Sequence, residues 1–444
     1  MFDLLITGGT LINANGQKCA DIGIRNGRIA ALLAPGETAM ARSFVDASGM
    51  QLLPGLVDAH AHLREPGLTQ KEDFESGTRA AALGGVTTIL DMPTDDPWTA
   101  TAAQLSQKMA RAAGRLNVDV GFQAVVSKND EALDDLLSLS PVSLELFTAD
   151  VPEEFRFDNL DAVTEMLRRL AQAGPVIGVS PGDQSILEAS AGRDGKGISA
   201  FLESRPPLAE AGGIARAVLA AAETGARVHV RQINSKRGIE VWHRLRDLAD
   251  VSVETTPQNL FFTADDYAGQ AGADLKGSPP FRDREDVEAL RHALSEGLIT
   301  IMATDHAPHA RAEKSATYPA FADIPGGMPG LQTLLFVILD LVAEKLIDLS
   351  ALVRLCAYNP AQRFGVGRSK GSIAVGCDAD ILVVDLNRST SISNAGQATR
   401  AGYTPFDGRR TAGYLKDVFL RGQRIVRDGT LLLPNRGQIV RHAA

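Results

Sequence analysis

The stretch QLLPGLVDAHAHLREPG, residues 51–67, is an apolar run followed at once by two histidines one residue apart. Side chains two positions apart on a strand point the same way, so His60 and His62 can face one ion from the end of a single strand. Two histidines alone do not complete a zinc site, which takes at least three protein ligands. The role of this pair therefore depends on which other residues the fold brings to it.

Runs of the same kind recur along the chain. From about residue 50 to about residue 357, short apolar runs that end in polar residues alternate with helical patterns. Two of the helical stretches, NLDAVTEMLRRLAQAG and EDVEALRHALSEG, end in a glycine suited to a left-handed C-cap. The alternation predicts an α/β fold with a (β/α)8 barrel of the TIM type over residues 54–367. The alternative is an open doubly wound sheet, but no Gly-rich dinucleotide turn follows the first strand to support it.

The two ends of the chain show a different pattern. Residues 1–53 contain ITGGTLINANGQ and residues 368–444 contain GSIAVGCDADILVVDL, which are short alternating runs with turn residues between them. Neither end is long enough to bury a comfortable core alone. We therefore expect both ends to combine into one small β-sandwich.

Composition excludes several classes of protein. The 444 residues carry a formal net charge of −9, which argues against a nucleic-acid or anionic-membrane partner. The N-terminal stretch MFDLLITGGTLINANG lacks the basic region and the long apolar run of a signal peptide or membrane span. Cys19, Cys356 and Cys377 are too few and too scattered for a disulfide framework. We expect a cytoplasmic protein.

The last predicted barrel strand supplies a third ligand for the histidine pair. It ends in TDHAPH, which places Asp305 at the mouth of the barrel, where active sites of this fold lie, followed by His306 and His309. Two imidazoles and a carboxylate, with water in the open position, form a catalytic zinc site. We predict that His60, His62 and Asp305 hold one divalent ion, Zn²⁺. The alternatives are a structural role for the first pair and rim-capping roles for the two later histidines.

With these residues in place, the chain resembles the cyclic amidohydrolases of the amidohydrolase superfamily, the group of dihydroorotase, allantoinase and dihydropyrimidinase. The resemblance is strongest to dihydroorotase-like members and covers nearly the whole length. It rests on PGLVDAHAHLREPG, KEDFESGTRAAALGGVTTILDMP, SRPPLAEAGGIARA, SPPFRDRED, TDHAPHARAEK, GMPGLQT, NPAQRFG and GSIAVGCDADILVVD. It implies a barrel with a composite sandwich and hydrolysis of a ring C–N bond, in a cyclic amide or imide, by metal-bound hydroxide.

The sequence departs from the metal site that the resemblance implies. In the binuclear site a carboxylated lysine of the fourth strand bridges two metals, and histidines of the fifth and sixth strands hold the second one. Glu145, Ser180 and Gln232 stand at those positions. All three differences affect the bridge and the second metal, so we predict a mononuclear site. Lysine and two histidines introduced there together are expected to restore the second metal.

Glu145 keeps the negative charge of the lysine carbamate but is shorter by roughly 3.5 Å. Direct ligation of the metal and a hydrogen-bonded carboxylate in the barrel mouth both remain open for it. Asp305 is the candidate general base, which takes a proton from water and passes it to the leaving ring nitrogen. Gln232 is a candidate donor to the substrate carbonyl.

Some candidate substrate-binding residues match the family pattern and others differ from it. Arg64 in HLREPG has a guanidinium that can donate two hydrogen bonds to a carboxylate, as in dihydroorotases, and His309 can add a second contact. However, Thr94, which is itself a candidate substrate-binding residue, and Ser278 stand where the family places asparagines, so donors that would hold dihydroorotate are lost. The alternative for Arg64 is a structural ion pair.

Two functions stay open at this point. One is an active cyclic amide or imide hydrolase, and the other is a catalytically inactive dihydroorotase-like relative that acts as a scaffold or regulatory subunit. By the resemblance alone we expect a homodimer or homotetramer, with the apolar stretch LQTLLFVILDLVAEKL available for burial between subunits. The alternative for that stretch is a barrel helix that packs inward on its own chain.

Overall fold

The computed structural model describes residues 1–129, 131, 133–191, 195–269 and 271–442. The strands are β1 (Phe2–Thr7), β2 (Thr10–Asn13), β3 (Gly16–Cys19), β4 (Asp21–Arg25), β5 (Arg28–Leu33), β6 (Ala41–Asp46), β7 (Gln51–Pro54), β8 (Leu56–Ala61), β9 (Val86–Asp91), β10 (Asp119–Phe122), β11 (Ala124–Val125), β12 (Ser143–Phe147), β13 (Val176–Ser180), β14 (Val228–Val230), β15 (Val251–Thr255), β16 (Ile301–Met302), β17 (Ile381–Ser391), β18 (Arg410–Leu420), β19 (Gln423–Arg427), β20 (Thr430–Leu431) and β21 (Ile439–Val440).

The α-helices are α1 (Phe74–Leu83), α2 (Ala102–Ala112), α3 (Leu133–Ser138), α4 (Leu160–Leu170), α5 (Gln184–Ala191), α6 (Ile198–Glu203), α7 (Pro207–Thr224), α8 (Lys236–Leu245), α9 (Gln258–Phe261), α10 (Gly272–Leu275), α11 (Arg284–Ser295), α12 (Arg311–Lys314), α13 (Leu334–Ala343), α14 (Leu349–Val353) and α15 (Asn359–Arg363). The glycine predicted to end the EDVEALRHALSEG helix is Gly297, which follows α11 with a left-handed φ of 71°. Within the described residues, no helix has the length and apolar character needed to cross a membrane.

Strands β8 to β16 form the parallel wall of the barrel. β8 pairs with β9 and β9 with β10, and from β11 onward each strand pairs with the next as far as β16. β10 and β11 form one path interrupted at Gln123. At the seam, Ala61 and His306 form a parallel bridge, and the amide of His62 donates to the carbonyl of His306 at 2.7 Å. The prediction of a TIM-like barrel is confirmed, and its seam lies beside the histidine pair.

The sandwich draws strands from both ends of the chain. One sheet has the order β5-β4-β1-β6, and the other has the order β20-β19-β18-β17-β7-β2-β3. In the second sheet Leu53 of β7 lies opposite Leu382 of β17, which lies opposite Val418 of β18. A hydrophobic cluster with contributions from both sheets includes Leu11, Ile22, Leu52, Ile381, Val383 and Phe419. The composite sandwich predicted from the two ends is therefore confirmed.

The end of the chain returns to the barrel. β21 pairs in parallel with β10, with Ile439 opposite Val120. The last described residues therefore contact the barrel wall, although the sequence grouped all of 368–444 with the sandwich. The bounds 1–53, 54–367 and 368–444 stay a prediction.

The apolar stretch proposed for subunit contact is buried within its own chain. It forms α13, where every residue from Leu334 to Leu341 is buried. Asp340 of this helix accepts hydrogen bonds from Nε of Arg409 and the amide of Ala412, both at 2.7 Å, so the helix is fixed against β18 and the residue before it. The expectation that this face is available to a second subunit is wrong, because the sandwich covers it. The oligomeric state stays a prediction.

Candidate functional site

Three side chains meet where the first and last barrel strands join. Nε2 of His60 lies 3.3 Å from Oδ1 of Asp305, and Nε2 of His62 lies 3.2 Å from the same oxygen. One ligand atom from each residue lies within 4.8 Å of the others. Two imidazole nitrogens and a carboxylate oxygen are the donor set of a three-ligand zinc site. These three residues, hereafter the metal group, therefore fit one divalent ion.

The opposite nitrogen of each imidazole has its own partner. Nδ1 of His60 lies 2.5 Å from Oε1 of Glu254, and Nδ1 of His62 lies 2.8 Å from Oγ1 of Thr94. A partner on Nδ1 fixes the orientation of a ligating ring and leaves Nε2 to face the metal. Both rings are therefore held with Nε2 toward Asp305.

The three side chains of the site differ in the direction of their pKa shifts. Burial, aided by the charge of Arg64, lowers the pKa of His62 to about 3, so this ring is neutral at physiological pH. Burial acts in the same direction on His60, but the carboxylates of Glu254 and Asp305 outweigh it and raise the pKa of that ring. Burial also opposes ionisation of Asp305, yet the two imidazoles lower its pKa. The carboxylate is therefore ionised and the ring of His62 is in the form that binds metal.

A second cluster of acidic side chains is already paired with cationic side chains. Asp119, Asp378 and Asp380 also bring ligand atoms within 4.8 Å of one another. The ammonium of Lys370 lies among them, with Oδ2 of Asp378 at 2.9 Å and Oδ2 of Asp380 at 2.8 Å. That buried cation, joined by Arg421, already supplies the balancing charge.

Three site residues have an unusual backbone. Arg64, Gln232 and Asp305 have φ angles of 60°, 47° and 43°, in the left-handed region that residues other than glycine rarely adopt. Such strain costs of the order of 1–3 kcal/mol per residue and is concentrated at functional positions. All three residues line the same cavity, which supports a functional assignment for it.

The cavity above the metal group has a volume of about 290 Å³. This is at the lower end of the range for small-molecule sites. Besides the three candidate ligands, its wall includes Arg64, Met92, Phe147, Ser180, Glu210, Gln232, Ser278, Arg282 and Gly326. A small ring would contact both the metal ligands and apolar side chains there.

Arg64 and His309 lie close together, but only Arg64 lines the cavity, and contact of both side chains with a substrate carboxylate stays a prediction. His309 is neutral, since burial and the charges of Arg64 and Lys71 lower its pKa to about 2. Its Nδ1 accepts from Lys71 at 3.2 Å, and its Nε2 donates to the carbonyl of Gly326 at 3.1 Å. The ring thus supports the cavity wall from behind, 3.5 Å from Nη2 of Arg64.

The structure does not bring Glu145 to the metal group. Its side chain is fully buried inside the barrel and forms an ion pair with Arg231, in which Nε of the arginine lies 3.3 Å from Oε2. Gly178 on the neighbouring strand leaves the space for it, because a Cβ there would lie 2.0 Å from Oε1 of Glu145. Of the two interpretations left open, this arrangement favours the hydrogen-bonded carboxylate, and direct ligation of a metal by Glu145 stays a prediction.

The remaining predicted residues fall into two groups. Gln232 lines the cavity and donates from Nε2 to Oδ2 of Asp305, while Ser180 and Ser278 line the cavity wall. Thr94 does not line the cavity, since its hydroxyl lies behind His62. Its hydroxyl contacts a candidate metal ligand, and a contact between Thr94 and substrate stays a prediction.

His306 takes a structural position. The ring is buried, its Nε2 lies 3.3 Å from Oε2 of Glu72, and its Nδ1 accepts from the amide of Gly330 at 3.1 Å. Both ring nitrogens are therefore used away from the metal group. This outcome agrees with the alternative of a non-catalytic histidine at the seam.

Sequence reasoning missed Glu254 and Arg231, which link the site to the barrel interior. Each is a charged residue within or just after a short apolar strand, VSVET or VHV. A charge at such a position is costly unless it is paired, and that signal could have identified both. Sequence alone offers no spacing rule for which charges pair across strands.

Comparisons with known proteins agree with this geometry. A dihydro-orotase-like family model matches residues 49–238, and an amidohydrolase family model matches residues 208–425. An allantoinase of Deinococcus radiodurans is 34% identical over 99% of this chain and 98% of its own length. An allantoinase of Escherichia coli is 32% identical, with 99% of each chain covered.

Solved structures give the same result. The L-hydantoinase (dihydropyrimidinase) from Arthrobacter aurescens is 30% identical with a TM-score of 0.95, over 99% of this chain and 100% of that one. The dihydropyrimidinase from Brevibacillus agri is 27% identical with a TM-score of 0.91, over 99% of this chain and 98% of that one. The resemblance found in the sequence is thereby confirmed. The chain belongs to the cyclic amidohydrolases of the amidohydrolase superfamily, a group of metal-dependent hydrolases.

Proposed function

We propose that this protein hydrolyses the C–N bond of a cyclic amide or imide with one divalent ion held by His60, His62 and Asp305. The observation that carries the proposal is the convergence of three ligand atoms within 4.8 Å at the wall of a small cavity. The relatives support the ring class, because they are named allantoinases and hydantoinases. An inactive scaffold would not need two imidazoles oriented toward one carboxylate.

Zn²⁺ is the ion that two imidazole nitrogens and a carboxylate oxygen suit best. When bound, such an ion would act as a Lewis acid that lowers the pKa of a water molecule toward neutrality and polarises an amide carbonyl. One ion is proposed because the residues at the second-metal positions are otherwise engaged or weak ligands. Glu145 pairs with Arg231, Gln232 donates to Asp305, and Ser180 offers only a neutral hydroxyl.

Asp305 is the proposed general base. Its carboxylate takes a proton from water as the water oxygen bonds to the ring carbonyl carbon, and it returns that proton to the ring nitrogen when the C–N bond breaks. The Nε2 amide of Gln232 holds Oδ2 of this carboxylate during both transfers. Gln232 is thus proposed to orient the base, and its cavity-lining position still allows the predicted contact with substrate.

Arg64 favours a substrate that carries a carboxylate. Its side chain is buried and lines the cavity, and its Nε has no hydrogen-bond partner among the described residues. Among the residues that the structure describes, no carboxylate forms an ion pair with it, so the alternative of a structural ion pair is not supported. A buried guanidinium in this state is well suited to bind a planar anion with two hydrogen bonds.

The proposal is tested by metal analysis and ring-opening assays on protein purified without chelator. We expect about one zinc per chain and loss of ring absorbance with at least one of hydantoin, allantoin, dihydrouracil and dihydroorotate. His60→Ala should lose both the metal and the activity. Near-zero metal in the wild type, with no ring opening after zinc is added, would instead support the scaffold.

A further inference from the structure

The interior of the barrel holds a buried arginine, Arg231, that is linked to the candidate metal ligand His60 through Glu254. All three guanidinium nitrogens of Arg231 have partners, and the side chain is fully buried. Nη1 donates to the carbonyl of Ala59 at 2.9 Å and to Oε2 of Glu254 at 3.2 Å. Nη2 donates to Oε1 of Gln123 at 2.6 Å and to Glu145. Four barrel strands or their connections therefore meet at this one side chain.

These contacts lead to a metal ligand by two routes. Through the side chain, Glu254 receives Arg231 on Oε2 and His60 on Oε1 at 2.5 Å. Through the backbone, Arg231 holds the carbonyl of Ala59, the residue that precedes His60. His229 also lies 2.9 Å from Oε2 of Glu254, so this carboxylate is fixed from three sides. A carboxylate fixed in this way determines where the imidazole points.

A single buried guanidinium lies between two buried carboxylates in this interior. Glu145 and Glu254 are both fully buried, and the guanidinium lies within 3.3 Å of an oxygen of each. Two buried carboxylates without a cation between them would be strongly unfavourable. Arg231 therefore supplies a positive charge between two buried carboxylates.

We propose that Arg231, held in place by Glu145, is a positioning residue that fixes Glu254 against His60 and so sets the metal affinity of a one-ion site. This inference rests on the proposed function, because it requires that His60 binds metal. It reassigns Glu145 from candidate metal ligand to counter-ion of Arg231. A merely structural ion pair would contribute to folding but leave the metal site unchanged.

The test uses cobalt, whose visible absorption reports the geometry of the site. The main variant is the double change Glu145→Gln and Arg231→Met, which removes both charges and leaves no uncompensated carboxylate from the pair. Arg231→Lys keeps the charge without the planar fork. The control is Arg409→Met, which removes a partly buried ion pair with Asp340 on the outer side of the barrel. Folding is checked by circular dichroism and thermal unfolding.

We expect the double variant to fold, to bind Co²⁺ and Zn²⁺ about 10- to 100-fold more weakly in competition with a chromophoric chelator, and to show an altered cobalt spectrum. Arg231→Lys should recover part of the affinity, and Arg409→Met should change stability alone. A folded double variant with wild-type affinity and spectrum would overturn the inference. A wild-type protein that gives no cobalt spectrum would overturn the proposed function and this inference with it, and the two failures are thus distinguished.

Discussion

The hydroxyl of Thr94 lies 2.8 Å from Nδ1 of His62, on the opposite side of the ring from Asp305. The threonine therefore contacts a candidate metal ligand directly. We predict that Thr94→Val, which removes the hydroxyl at nearly constant volume, weakens zinc binding by about tenfold or more while leaving KM unchanged. Thr94→Ser should keep both values. Zinc affinity measured by chelator competition, together with steady-state kinetics, checks this, and a raised KM at constant affinity would contradict it.

The ligand assignment itself gives the next prediction. His60→Ala and Asp305→Ala should each abolish metal retention and ring opening, because a two-ligand remainder does not hold zinc against water. His243→Ala, an exposed position near the end of α8, is the matched control and should keep both. Metal content after gel filtration is the measurement. If either site variant keeps a full metal complement and rate, the site has been misplaced.

Arg64 provides a test of substrate class. For a ring substrate that carries a carboxylate, Arg64→Met should raise KM by roughly 10- to 100-fold, the equivalent of about 1.5–3 kcal/mol for a charge-assisted hydrogen bond. The KM for an uncharged ring such as hydantoin should stay within about twofold, since that ring makes no ionic contact with the guanidinium. Arg64→Lys should give an intermediate value for the charged ring. Equal losses for charged and uncharged rings would argue against a carboxylate contact.

The fold and the metal triad could be read from the sequence for physical reasons. The apolar run before His60 and the run before Asp305 both predict strands, and parallel barrel strands bring their carboxyl ends together. Local spacing therefore determined which ligands meet. The role of Glu145 could not be read in the same way, because its partner Arg231 lies on a strand distant in sequence and no spacing rule connects the two.

The contacts made by Thr94 and by the α13 helix could not be read from the sequence for a related reason. The family pattern suggested that Thr94 contacts substrate, and the structure shows its hydroxyl 2.8 Å from Nδ1 of His62. The apolar α13 suggested a subunit surface, but the sandwich strand β18 of the same chain covers it. In both cases the deciding contact joins segments far apart in sequence.

A buried lysine predicts a pH-dependent stability. Burial, with the nearby charge of Lys276, lowers the pKa of Lys314 from 10.5 to about 7. Its ammonium donates to the carbonyls of Lys276 at 2.7 Å and Pro325 at 2.8 Å. Between these two pKa values the unfolded chain binds one more proton at this lysine than the folded chain does. The contribution of this lysine to the free energy of unfolding therefore increases as pH rises from about 7 toward 10.

Lys314→Met removes that contribution. The free energy of unfolding of the variant, minus that of the wild type, should therefore be lower at pH 9 than at pH 7. Urea unfolding of both proteins at both pH values measures this difference. Lys18→Met, at an exposed position on β3, should show no such change. A difference between Lys314→Met and wild type that stays constant with pH would contradict the prediction.

The last prediction concerns the number of metal ions. From the sequence alone, Glu145→Lys, Ser180→His and Gln232→His should together create the bridge and both ligands of a second metal. In the folded barrel, however, a lysine at 145 would meet the guanidinium of Arg231 in place of a carboxylate. Two buried cations in contact repel each other, and the arginine occupies the space around the new side chain.

We therefore expect the triple variant to keep about one metal per chain and the quadruple variant with Arg231→Ser to rise toward two, because only then is the space around residue 145 free of the cation. The gain should depend on added bicarbonate, since the bridge requires a carboxylated lysine. Metal content per chain, measured with and without bicarbonate, decides the outcome. Two metals in the triple variant would show that Arg231 does not block the bridge, and two metals in the wild type would show that other residues bind the second ion. The second result would remove the argument for a one-ion site, and both results would leave the assignment of His60, His62 and Asp305 intact.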